Sequence, residues 1–311
     1  MEESEENEYL KAAEQMKKAM EGCRTDEESL INVATSHNNK QRLKIKKIYK
    51  KKYNKDLIDS LKSELSGKLE NAMTTLFKDP VEYDAECLYY SMKGIGTDEA
   101  CLIEIIASRP NWLLQKIKVK YKELYKNELE EDVKGDTSGD FQRLLLGLLK
   151  CNRNTNKDVN KEECANIAKI LNETKEEKWL NDGDEDTFYK YIILSSPQEL
   201  SEVAKEYNKL NEETILDRID KKFIGDTKDL INTILYSLVS PSEYFAKRIK
   251  KAIEGFGTDN KTLIRILATR CEVDLDVIKK YYKQLYEKDM EEDIKNNIGG
   301  DYQKLVIDLI K

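Results

Sequence analysis

Met92-Lys93-Gly94-Ile95-Gly96-Thr97-Asp98-Glu99 is one of three matched segments in this chain. Ile253-Glu254-Gly255-Phe256-Gly257-Thr258-Asp259 copies it closely, and Met20-Glu21-Gly22-Cys23-Arg24-Thr25-Asp26-Glu27 is a worn copy. A step of 42 residues from the first glycine of each reaches Asp136, Asn297 and Glu64. Each of these stands three residues before another glycine: Gly139, Gly300 and Gly67. A glycine-rich turn tied to a remote acidic residue, and repeated along the chain, reads as a set of oxygen-lined cation sites. Only one copy has every part.

Aligned on these turns, the chain divides into four repeats at about 8–77, 80–150, 164–238 and 241–311. The second and fourth match best. Leu102 to Arg109 corresponds to Leu263 to Arg270, Leu129 to Val133 to Met290 to Ile294, and Asp140 to Leu144 to Asp301 to Leu305. Within a repeat the pattern predicts about five short helices. Cys87–Lys93 ends at a glycine turn, and Thr97 stands where an N-cap would start a helix running to Ser108. Asn111 to Tyr125 carries a helical apolar stripe, Glu128–Val133 is short, and Phe141–Leu149 is apolar nearly all round. One repeat alone is too small to bury these faces, so the fold class is all-α with the repeats packed together. The polar stretch from Cys151 to Asp158 reads as the longest connector, dividing the chain into two halves.

Bulk composition agrees. Charged residues make up 36% of the 311 residues, and Gly and Pro are scarce, a mix that favours helices. A net charge of -7 excludes a general nucleic-acid binder and means that an anionic surface would be approached through a cation. The six cysteines are scattered and there is one histidine, His37, which leaves no zinc site and no His-based nucleophile machinery. With no P-loop either, the chain does not read as an enzyme. The acidic start lacks an apolar signal region, and no apolar run approaches the roughly 20 residues that span a bilayer. The expected location is the cytoplasm.

Calcium is the cation these turns suit. It takes six to eight oxygens, often backbone carbonyls with one bidentate carboxylate. Two glycines let successive C=O groups point at one spot, which a Cβ would obstruct. In repeat two the ligands would be the carbonyls of Met92, Gly94 and Gly96 and the carboxylate of Asp136.

Four repeats of this length, with Met-Lys-Gly-Ile-Gly-Thr-Asp from Met92 and Gly-Asp-Thr-Ser-Gly-Asp over 135–140, resemble the annexins across nearly the whole chain. The resemblance implies a curved disc of four five-helix repeats. Its calcium turns would bridge Ca2+ to anionic phospholipid of the phosphatidylserine type, with lipid phosphoryl oxygens completing the shell. Carried over by position, repeat two has every element. Repeat four keeps Ile253, Gly255 and Gly257 but has Asn297 for the acid, which costs a full charge. Repeat one keeps Met20, Gly22 and Glu64, with Arg24 in place of the second glycine, which counts against an ion there. In repeat three Leu180 and Asp182 replace the glycines and Lys222 the acid, so that site is absent; Asp182, Asp184, Glu185 and Asp186 read as a solvated acidic loop. Asp84, Glu104, Arg109 and Arg265 match the polar centre of the family disc and imply a structural ion network between repeats two and four. Some degenerate relatives, such as the giardins of a parasitic protist, associate with the cytoskeleton. A calcium-independent scaffold binding a cytoskeletal protein is therefore the alternative, and assembly of protomers on the membrane is left open.

Other signals read more plainly. The basic run from Lys40 to Lys52, interleaved with Leu43, Ile45, Ile48, Tyr49 and Tyr53, is an amphipathic helix with a solvated lysine face. Trp179 either dips into a bilayer interface or is buried. Tyr49, Tyr53, Tyr121, Tyr125, Tyr282 and Tyr286 recur between repeats and read as packing residues with hydroxyls at the surface. Met1 to Asn7 reads as a very short N-terminal tail.

Overall fold

The structure, a computed structural model, describes residues 2–22, 24–175, 178–181, 186–255 and 257–311, with side chains from residue 6 onward. The described residues form twenty α-helices and no strand. They fall into four sets of five. The first comprises α1 (Glu2–Ala19), α2 (Glu27–Thr35), α3 (Asn39–Tyr53), α4 (Leu57–Glu64) and α5 (Gly67–Leu76). The second is α6 (Pro80–Met92), α7 (Glu99–Ser108), α8 (Asn111–Tyr125), α9 (Leu129–Asp136) and α10 (Gly139–Leu149). The third is α11 (Lys161–Glu173), α12 (Thr187–Leu194), α13 (Pro197–Leu210), α14 (Ile215–Lys222) and α15 (Gly225–Val239). The fourth is α16 (Pro241–Ile253), α17 (Asn260–Arg270), α18 (Leu275–Tyr286), α19 (Met290–Asn297) and α20 (Gly300–Ile310). Residues 2–7 are the opening turns of α1 rather than a separate tail.

Local chemistry sets these boundaries. Reciprocal capping boxes start α3 (Asn38 with Gln41), α13 (Ser196 with Glu199) and α14 (Thr214 with Asp217). The Thr-Asp pair divides its work differently from the sequence expectation. Asp98, not Thr97, caps α7, its carboxylate accepting from the Cys101 N–H at 3.0 Å. Asp26 and Asp259 cap α2 and α17 in the same way.

The chain forms two compact units. One contains 1–83 and 245–311, the other 84–244. The first thus joins repeats one and four and the second joins two and three, so the connector at 151–158 does not divide the halves. It is sewn into the second unit. Arg153 donates to the carbonyls of Ser195 at 2.6 Å and Ile192 at 2.7 Å, satisfying chain ends that α12 leaves open. Asn154 donates its N–H to Leu194 O at 2.7 Å, and Asn111 donates to Arg153 O at 2.9 Å. Burial pushes the Arg153 guanidinium pKa down to about 10. The partnering follows one rule in both units: the fifth helix of one repeat packs on the second helix of the other. In the first unit α5 packs on α17, and in the second α15 packs on α7. Leu102, Ile105, Ile106, Leu230, Ile231 and Ile234 are fully buried in the latter core.

The basic run is α3, with Ile45 and Tyr49 buried and Lys44, Lys47, Lys50 and Lys51 exposed. Its Arg42 is 1% exposed, a burial the sequence did not announce. The guanidinium is fully engaged, donating to Leu76 O, Ala34 O and His37 O and pairing with Glu272 at 2.8 Å. Recurrent tyrosines also depart from expectation. Tyr49 and Tyr282 donate inward, to Ser60 Oγ at 3.3 Å and Asp293 Oδ2 at 2.6 Å, and Tyr121 donates to Asp132. Each partner lies eleven residues downstream, so the hydroxyl ties the third helix of a repeat to the fourth rather than reaching the surface. Burial, with Asp132 or Asp293 as neighbour, pushes the Tyr121 and Tyr282 phenols well above the usual range.

Candidate metal centre

The turn between α6 and α7 is built on two left-handed glycines, Gly94 at φ +113° and Gly96 at φ +86°. A Cβ at either would meet no atom within 4 Å, so glycine is required by backbone conformation and not by crowding. Among the described residues the carbonyls of Met92, Gly94 and Gly96 accept no backbone hydrogen bond. They are the kind of uncommitted oxygens a hard cation takes. Asp136, the last residue of α9, is brought to this turn by Thr97, whose hydroxyl donates to Asp136 Oδ2 at 2.6 Å. One carboxylate oxygen is thereby oriented and the other stays available. Thr97 thus ties Asp136 to the turn that carries Met92, Gly94 and Gly96, and oxygens of these kinds are ones calcium takes.

The other turns deviate in specific ways. In repeat four Gly255 (φ +102°) and Gly257 (φ +96°) keep the left-handed backbone. Gly257 N–H donates to Gly255 O at 3.1 Å, however, so one candidate carbonyl is already engaged. Thr258 donates to the backbone O of Asn297 at 2.9 Å, while the Asn297 amide donates back to Asp293 O at 2.7 Å. Neutral Oδ1 is what that residue has left to offer, beside the Ile253 carbonyl. In repeat one Gly22 has φ +113° and Thr25 donates to Glu64 Oε2 at 3.0 Å, with Met20 at the start of the turn. Arg24 does not take the left-handed conformation of Gly96 and is exposed, so this turn cannot aim its second carbonyl as repeat two does.

Repeat three is rebuilt. Its cap Asp186, 7% exposed, accepts from the Tyr189 N–H at 2.9 Å, so it is a buried helix cap and not part of a solvated loop. Thirteen residues separate the end of α11 from the start of α12, against six between α6 and α7; Asp182, Asp184 and Glu185 lie outside the described residues. Leu180 has φ +67°, and its carbonyl accepts from Arg143 at 2.6 Å, so a guanidinium holds the oxygen an ion would need. Trp179 is buried at 1% exposure, stacked on Phe188 at 4.4 Å with the Arg218 guanidinium 5.0 Å from its ring. Lys222 ends α14 at the position that Glu64, Asp136 and Asn297 hold at the ends of α4, α9 and α19.

Asp84 and Arg109 form a bidentate pair in the second unit, at 2.8 and 3.0 Å, with side chains 2% and 4% exposed. Glu104 is buried in the same unit. Arg265, in the first unit, is buried and donates to Thr262 Oγ1 at 3.1 Å.

Comparison with known proteins bears on the chain as a whole. The Annexin family model matches residues 11–76, 83–148 and 244–309, leaving the whole of the rebuilt third repeat unmatched. Annexin A11 of Homo sapiens is 38% identical over 96% of this chain, which spans 59% of that relative's length. Annexin A13 of Canis lupus familiaris is 37% identical over 96% of this chain and 94% of its own. A solved structure of annexin III superposes with a TM-score of 0.93 at 34% identity, covering 97% of this chain and 93% of the other. No helix among the described residues is long and apolar enough to cross a membrane.

Proposed function

This chain belongs to the annexin family, and from that premise we propose that it binds anionic phospholipid membranes reversibly through calcium, with repeat two as its dominant site. Annexins in general are non-enzymatic proteins of this kind. What supports the ranking is that three carbonyls uncommitted to backbone hydrogen bonds, those of Met92, Gly94 and Gly96, belong to a turn to which Thr97 holds the Asp136 carboxylate. The ion would supply the positive charge between Asp136 and lipid phosphate; the chain's part is to orient its oxygens and leave the outer face open to the headgroup. Repeat four contributes less, through Ile253, Gly255, Gly257 and Asn297, since it offers one carbonyl fewer and no charge. Repeat one, with Met20, Gly22 and Glu64, contributes least. Phosphatidylserine is the preferred partner in this reading, and the protein is cytoplasmic until calcium rises.

Comparing Asp136→Ala with Asn297→Ala in calcium-dependent vesicle sedimentation tests the ranking. The first should abolish the gain in binding that micromolar calcium gives, and the second should raise the requirement only modestly. Equal losses would overturn the dominance of repeat two. Failure of the wild type to bind any vesicle would favour the calcium-independent cytoskeletal scaffold instead.

A further inference from the structure

Repeat three has lost its cation turn, yet the turn leading into its last helix keeps the shape found in the other repeats. Gly67, Gly139, Gly225 and Gly300 open α5, α10, α15 and α20 with φ of +61°, +62°, +57° and +67°. The residue before each is extended: Ser66, Ser138, Ile224 and Gly299. None of the four makes a side-chain capping bond, so the identity of this residue is not dictated by the turn. Three repeats place a small or polar residue there. Repeat three places Ile224, which is 84% exposed. Two residues earlier, where the others carry Glu64, Asp136 or Asn297, stands Lys222. Among the described residues its ammonium lies 5.8 Å from the Phe223 ring and pairs with no carboxylate. Its neighbours differ: Lys221 pairs with Glu213 and Lys228 with Asp220.

We propose that Lys222 and Ile224 form a calcium-independent contact with an anionic bilayer, a built-in ammonium standing in for the ion that the acidic position recruits in repeat two. The inference rests on the membrane-binding reading above. The chemistry is complementary at both residues. An ammonium at this register meets phosphate oxygens directly, without a metal between. An isoleucine beside it has no protein surface to cover it and gains by entering the acyl boundary. Asp226 is exposed one residue beyond Gly225 and opposes the ammonium, so the electrostatic part is modest and salt-sensitive and the apolar part is needed. The contact would hold the chain loosely at an anionic surface before calcium rises, leaving repeat two to lock it.

The test measures partition of the full chain onto phosphatidylserine-rich vesicles in EGTA at low salt, with phosphatidylcholine vesicles as control. Lys222→Gln removes the charge without adding a carboxylate able to recruit calcium, and Ile224→Ser restores the residue of repeats one and two. The wild type should partition onto the anionic vesicles alone. Lys222→Gln should weaken this about fivefold, and Ile224→Ser on the order of tenfold. Absence of wild-type partition in EGTA, or partition that neither variant changes, would overturn the proposal. Its fate is separable from that of the calcium bridge. Calcium-dependent binding lost in Asp136→Ala with nothing in EGTA sinks this inference alone, whereas EGTA binding lost in Lys222→Gln with no calcium enhancement sinks the bridge alone.

Discussion

Thr97 and Asp98 are adjacent, yet they act on different parts of the fold. Asp98 ends the turn by capping α7, while Thr97 reaches 39 residues along the chain to hold Asp136. Two short polar side chains therefore both start a helix and tie its preceding turn to the end of α9. Burial decides the worth of the charges elsewhere. Asp84 and Arg109 are nearly inaccessible and satisfy each other with two hydrogen bonds. Removing one partner leaves a buried unpaired charge, which costs far more than the net worth of the intact pair. Asp84→Ala should accordingly destabilise the protein by about 3–5 kcal/mol, read from denaturant unfolding. A loss below about 1 kcal/mol, the scale of an exposed pair, would show that water reaches this site.

At the scale of the turn and its two flanking helices, the sites differ by backbone before they differ by charge. Gly94 and Gly96 both occupy left-handed conformations that a side chain resists, and Arg24 does not follow. Arg24→Gly should then restore the second carbonyl beside Glu64. Calorimetric titration in the presence of phosphatidylserine vesicles should find one more calcium per chain, and unchanged stoichiometry would mean that repeat one is damaged beyond this residue. Much at this scale was legible in the sequence. Asn111 to Tyr125 is helical over the expected residues, and the glycine-to-acid spacing pointed to the residue, Asp136, that Thr97 of the glycine turn hydrogen-bonds. Other features were not legible because they depend on contacts between distant segments. Arg42 looked like one more member of a lysine-rich face until Glu272 and three carbonyls surrounded it. The Tyr-to-partner interval of eleven residues was present in the sequence. Its chemistry varies from Ser60 to Asp132 to Asp293, which hid a shared role.

Across the whole molecule, pairing of repeats follows helix packing rather than order along the chain. Cys151 to Asp158 looked like a divider because it is polar, but its polarity serves to satisfy the ends of α12 within one unit. The net charge of -7 sets the functional problem at this scale. A chain of that sign is repelled by an anionic surface, so attraction has to come from a cation held at particular points. If repeat two is the dominant site, as proposed, the calcium requirement is higher and the cooperativity shallower than several intact sites would give. The most direct measurement is co-sedimentation with phosphatidylserine vesicles across a calcium titration, with the wild type beside Asp136→Ala. The calcium bridge predicts a wild-type binding curve that rises with calcium along a shallow slope, and a variant that gains nothing from calcium over the same range. A variant curve that overlays the wild type would contradict it.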